Sequence, residues 1–113
     1  MAKDLNLALL YDFYNALLSS KQSEILDLYY NEDLLLAEIS DHLGITRQGV
    51  HDNIKRAETI MTDAENALGL LKKHKASKAA AEEILDIIAE LEEYEEIKPK
   101  LQKIKDNLKI ISE

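Results

Sequence analysis

A chain of 113 residues fits one domain with a modest core, or one domain with a helical appendage. Three Gly and one Pro leave too few turn-formers for a multi-stranded β protein, and the lack of Cys excludes a disulfide framework, a thiolate nucleophile and sulfur-ligated zinc. The net charge of −8 argues against general polyanion binding, yet it is uneven: residues 1–66 hold 12 acids and 5 bases, residues 67–113 hold 10 acids and 9 bases.

Every apolar pattern steps by 3 and 4, so the expected fold is all-α with about six helices. The first runs from about Asp4 to Leu18, with a stripe of Leu5, Leu9, Phe13, Ala16 and Leu17. Ser19 stands three residues before Gln22, a capping-box spacing that ends one helix and begins the next. That second helix carries Ile25, Leu26, Leu28 and Tyr29 and stops near Asn31-Glu32-Asp33. A short third helix spans about Leu35 to Leu43, closed by Gly44, and Thr46 caps the fourth. The fourth carries Val50, Ile54, Ala57 and Met61 and is expected to continue to about Leu71. Lys72 to Lys78 is polar and basic and reads as a linker or helix–helix turn. A fifth helix follows over Ala79 to Glu96, with Ile84, Leu85, Ile87, Ile88 and Leu91 facing inward. Pro99 suits the first turn of a sixth, with Leu101, Ile104, Leu108 and Ile111 on one side. The division expected is a helical domain over 1–71 and a C-terminal helical extension over 72–113, packing on that domain or on a partner subunit.

The informative stretch is LLLAEISDHLGITRQGVHDNIKRA, Leu34 to Ala57. A short helix, a turn at Gly44-Ile45-Thr46 and a longer helix form a helix-turn-helix layout, occupying about 35–57. Ile39, Leu43, Ile45, Val50 and Ile54 pack together and free the other side of the second helix. A 100° step from Val50 puts Gln48, Asp52, Lys55 and Thr59 near that side, with His51 and Arg56 flanking it and Arg47 at the helix start. Long donors near the start of such a helix suit a major groove, Arg for guanine and Gln for adenine. The expected DNA-contacting residues are Thr46, Arg47, Gln48, His51, Asp52, Lys55 and Arg56.

LSSKQSEILDLYYNEDLLLAEISDHLGITRQGVHDNIKRA resembles region 4 of bacterial sigma factors, above all the short extracytoplasmic-function type. The combination YYN, EIS, LGITRQGV and NIKRAE, with the chain length, is similar to the YlxM family of small helix-turn-helix proteins of Gram-positive bacteria. That resemblance implies a sigma-region-4-like domain with extra C-terminal helices, no enzymatic activity, and genes beside those for the signal recognition particle GTPase and its receptor. Two departures stand out: Leu35 occupies the place of a Ser or Thr cap, and His51, Asp52 and Asn53 occupy the stretch of the second helix where sigma factors crowd basic residues.

Two function classes follow. One is a DNA-binding regulator acting on double-stranded DNA through the second helix of the motif, easier to defend as a homodimer because Leu5, Leu7, Leu9, Leu10, Phe13, Tyr14 and Leu17 and the C-terminal stripes exceed one small core. The other, resting on family resemblance alone, is an accessory module that contacts the signal recognition particle GTPase or its RNA. Glu92-Glu93 and Glu95-Glu96 read as surface, and the three His share no metal-ligand spacing, so neither enzyme nor cofactor is expected. Tyr11, Tyr14, Tyr29 and Tyr30, at helical spacing among leucines, read as core rather than base-stacking groups. No apolar run reaches the roughly 18 residues of a membrane span, and MAKDLNLALLYDF is unlike a signal peptide, so a cytoplasmic protein without membrane insertion is expected.

Overall fold

A computed structural model describes residues 3–112, and all regular structure among them is helical. Six α-helices follow in chain order: α1 Leu5–Tyr14, α2 Ser20–Leu26, α3 Leu36–Leu43, α4 Arg47–Leu68, α5 Leu70–Leu91 and α6 Lys98–Ser112. The last turn after α1 tightens to a 3₁₀ turn over Asn15–Leu17, and α2 continues as a π-helical turn over Asp27–Asn31. No helix among the described residues is long and apolar enough to cross a membrane. The chain divides between Leu71 and Lys72 into two compact units.

The first unit is built from local signals. Asp4 caps α1 by accepting from the Asn6 N–H at 2.8 Å. Ser19 and Gln22 form the reciprocal capping box: the Gln22 N–H donates to Ser19 Oγ and the Ser19 N–H to Gln22 Oε1. The core gathers Leu10, Tyr11 and Tyr14 from α1, Ile25, Leu26 and Tyr29 from α2 and its π turn, Ile39 from α3, and Val50, Ile54, Ala57 and Met61 from α4. The 4, 3, 4 spacing of those α4 residues keeps them on one side of the helix, and that side meets α1, α2 and α3. The broad apolar face of α1 is therefore largely covered by α4, leaving Leu5 and Leu9 exposed, with Leu17 of the following 3₁₀ turn.

Three sequence expectations need correction. The fourth helix ends at Leu68, because Gly69 takes a left-handed φ of 64° and its N–H closes on the Glu65 carbonyl. Lys72 to Lys78 is neither linker nor turn but part of the first three turns of α5, which starts at Leu70 and stops at Leu91, short of Glu96. Lysine and alanine are good helix formers, and the free N–H groups at the start of α5 are met from outside it: Leu70 donates to the Tyr14 hydroxyl and Leu71 to Glu65 Oε1. Finally, of the five α5 side chains expected to face inward, Ile88 is buried and Leu85 half-buried, whereas Ile84, Ile87 and Leu91 are exposed.

Within the second unit, a 3₁₀ turn over Glu95–Ile97 leads into α6, and Pro99 lies in its first turn, where a missing N–H costs nothing. Lys105 of α6 donates to Glu92 just beyond α5 at 2.6 Å, and Lys98 to Glu95 at 2.9 Å, so two of the four clustered glutamates hold lysines.

Candidate nucleic-acid interface

The helix-turn-helix layout is fixed by backbone chemistry on both sides of its turn. Leu35 supplies no side-chain cap for α3, but its N–H donates to Glu38 Oε1 at 2.9 Å, so the acid three residues on serves that end. At the other end Gly44 adopts φ 69°, and its N–H and that of Ile45 both close on the Ser40 carbonyl. Ser40 Oγ in turn donates to the Ile45 carbonyl. Thr46 then caps α4, its hydroxyl accepting from the Gly49 N–H at 2.9 Å. Ile39, Val50 and Ile54 are buried between the two helices, with Leu43 and Ile45 half-buried against them.

That packing turns the opposite side of α4 outward. Thr46, Arg47, Gln48, Asp52, Lys55 and Arg56 are exposed, and His51 is half-buried. The outward residues are not equally available. Gln48 Nε2 donates to Asp52 Oδ1 at 2.9 Å, and His51 Nδ1 lies 3.5 Å from the same oxygen. The Gln48 bond first, and then His51, hold the Asp52 carboxyl below the usual carboxylate range. A fixed negative charge thus sits in the middle of the face. Lys55 Nζ is 3.6 Å from Glu58, a half-buried carboxylate that also accepts from the Tyr30 hydroxyl at 2.7 Å. Arg47 and Arg56 make no ion pair among the described residues, which leaves two guanidinium groups for outside acceptors.

Two supports were not visible in the sequence. The Lys3 ammonium sits 4.3 Å above the Tyr29 ring and donates to the Tyr29 and Leu34 carbonyls and to Asp33 Oδ1. It ties down the segment leading into α3, where Asp33 holds φ 55°. The Glu58–Tyr30 bond joins the π turn to α4. No local pattern announces either contact, because their partners stand 26 to 31 residues apart. Tyr11, Tyr14 and Tyr29 lie in the core, and Tyr30 packs edge-on against Tyr29 at 5.0 Å.

A family model described as "UPF0122: Putative helix-turn-helix protein, YlxM / p13 like" matches residues 1–107. The chain is 49% identical over 92 residues to a UPF0122 protein of Acetivibrio thermocellus, covering 81% of this chain and 79% of that one. A UPF0122 protein of Thermoanaerobacter sp. is 44% identical over 107 residues, covering 95% and 74%. One from Geobacillus kaustophilus is 39% identical over 89 residues, covering 79% and 81%.

Proposed function

The chain belongs to the UPF0122 family of YlxM / p13-like proteins, and from that premise we propose that it is a cytoplasmic DNA-binding regulator that offers the first half of α4 to a major groove, in the manner of sigma-factor region 4. One observation carries the reading. The buried Val50–Ile54 side holds α4 on α3 while Gln48, Lys55 and Arg56 stay exposed on the other side and Arg47 stays exposed at the helix start.

The roles follow from position along the helix. Arg47 and Gln48 stand in its first turn and reach base edges, and the Thr46 hydroxyl beside them is already engaged as the cap. Lys55 and Arg56, two turns later, meet phosphates. His51 and Asp52 lie between, where the carboxylate repels phosphate but accepts from a cytosine amino group. With so few cations on the face and an overall charge of −8, non-specific affinity is low and discrimination rests on base contacts. The reading is a binding protein and not an enzyme.

Selection of duplex DNA from a random pool by the full chain tests this, followed by mobility-shift titration of the enriched sequence. Enrichment of one motif, lost with Arg47→Ala, is the expected result. If no duplex is enriched, while a pull-down from nuclease-treated lysate recovers the signal recognition particle GTPase, the accessory-module reading replaces this one.

A further inference from the structure

The second unit leaves a regular apolar seam uncovered. Along α5, Ala80, Ile84, Ile87 and Leu91 follow one another at spacings of 4, 3 and 4, and all four are exposed. On α6, Leu101, Ile104, Leu108 and Ile111 recur at 3, 4 and 3, and Ile104 and Ile111 are 45% and 71% exposed. Such spacing is what helices show where they interdigitate with other helices. Among the described residues of this unit only Ala81, Ile88 and Leu101 are buried. Of those three side chains only Leu101 lies in the two stripes, and the rest of the stripes needs a further layer.

We infer that this layer is the second unit of another copy of the chain: α5 and α6 of two protomers pack as a four-helix bundle and make the protein a homodimer. Three observations select this occupant and this surface. The first is charge. The first unit carries 12 acids against 5 bases, so joining two copies through it sets like charge against like charge. The second unit carries 10 against 9 and is close to neutral, so two copies approach there without that penalty. The second is size. A stable interface takes roughly 800 Å² from each partner, and helices of 22 and 15 residues, about 33 and 22 Å long, present a face of that order. The third is pattern. The exposed leucines of α1 (Leu5 and Leu9) border a face already occupied by α4, whereas the α5 seam is an unbroken row over three turns. Self-association also satisfies the two-fold rule that one surface meets itself.

Sedimentation equilibrium of the full chain at micromolar concentration tests the inference, with the monomer at 12.8 kDa as the reference mass. Twice that mass is expected, and a monomer mass overturns the proposal, as it would if the first unit of the same chain covered the seam. Ile87→Glu should shift the protein to monomer while its circular dichroism stays helical, since Ile87 is half exposed and Glu suits a helix. Should that variant lose helicity, Ile87→Ala is read instead, with at least a tenfold rise in the dimer dissociation constant expected. Leu5→Glu on α1 should leave the dimer intact. A dimer that dissociates with Leu5→Glu, or that survives Ile87→Glu unchanged, places the contact elsewhere and overturns the assignment. None of these outcomes depends on DNA binding.

Discussion

The hydroxyl of Tyr14 lies 2.7 Å from Oε1 of Glu65, and together the two groups form the corner between α4 and α5. Tyr14 donates to the carboxylate and accepts from the Leu70 N–H at 3.2 Å, while the same carboxylate oxygen accepts from the Leu71 N–H at 3.0 Å. A helix leaves its first N–H groups without internal partners. Here the partners come from the end of α1 and the last turn of α4, which allows α5 to start one residue after the Gly69 stop.

Tyr14→Phe therefore removes one donor and one acceptor from a part-buried corner and leaves the Leu70 N–H without its protein acceptor. The expected loss is about 1–3 kcal/mol, read as a lower urea midpoint with an unchanged slope. If the midpoint does not move, the corner is held by packing and the hydrogen bonds contribute nothing net.

The helix-turn-helix corner makes a different demand. Gly44 holds φ 69°, and a Cβ there would meet no atom within 4 Å, so the objection to a side chain is conformational and not steric. Gly44→Ala should cost about 1–2 kcal/mol, and Gly44→Asn less, because asparagine tolerates the left-handed region. Thermal melts should rank Gly, Asn, Ala in falling order. Equal melting temperatures for Gly and Ala would mean that the turn is drawn wrongly.

How much of this was legible before the structure depends on the range of the interaction. Ser19 with Gln22, Gly44 and Thr46 act within four residues, so their spacing announces them. The Val50, Ile54, Ala57 and Met61 stripe is likewise a local period. Lys72 to Lys78 misled because polarity reports on solvent and not on backbone, and the groups that let α5 begin upstream of it include one 51 residues from its partner. On the candidate face, the 100° step located the exposed residues. Their pairing divides the same way: Gln48–Asp52 is an i, i+4 contact that spacing could suggest, whereas the Tyr30 bond to Glu58, the carboxylate beside Lys55, joins two elements.

The buried tyrosines tie stability to alkaline pH. Burial first, and then the hydrogen bond to Asp27, push Tyr11 up to about 12. Burial likewise raises Tyr14, Tyr29 and Tyr30, with Glu58 adding to the shift at Tyr30. A phenol in the unfolded chain ionises near 10 (about 10 in model peptides). Below that value both states are protonated and the stability is fully present. As pH rises from about 10 toward 12 the unfolded chain loses protons that the folded one keeps, so stability falls. Urea midpoints should be level with respect to these groups up to about pH 9.5 and drop beyond it, with a shallower drop in Tyr11→Phe. A drop of the same steepness in that variant removes Tyr11 from the account.

The last prediction concerns how α4 touches DNA. Arg47 is exposed with no ion pair among the described residues, so Arg47→Ala frees nothing inside the protein and its cost is read at the DNA. A base-edge role predicts a loss on the order of 1–3 kcal/mol and relaxed preference at one position. Lys55 must leave Glu58 at 3.6 Å to meet a phosphate, a small cost for a pair in which the lysine is mostly exposed. Lys55→Ala should weaken all sequences alike and flatten the salt slope by about one. Asp52→Asn removes the ionised group at the centre of the face without changing its size, and Asn Oδ1 still accepts from Gln48. If Asp52 makes no cytosine contact, non-specific binding rises; if it does, preference at one position changes instead. Mobility-shift titrations at several salt concentrations separate these patterns. Should all three variants bind the selected duplex as the unaltered chain does, this side of α4 is not the surface that meets DNA.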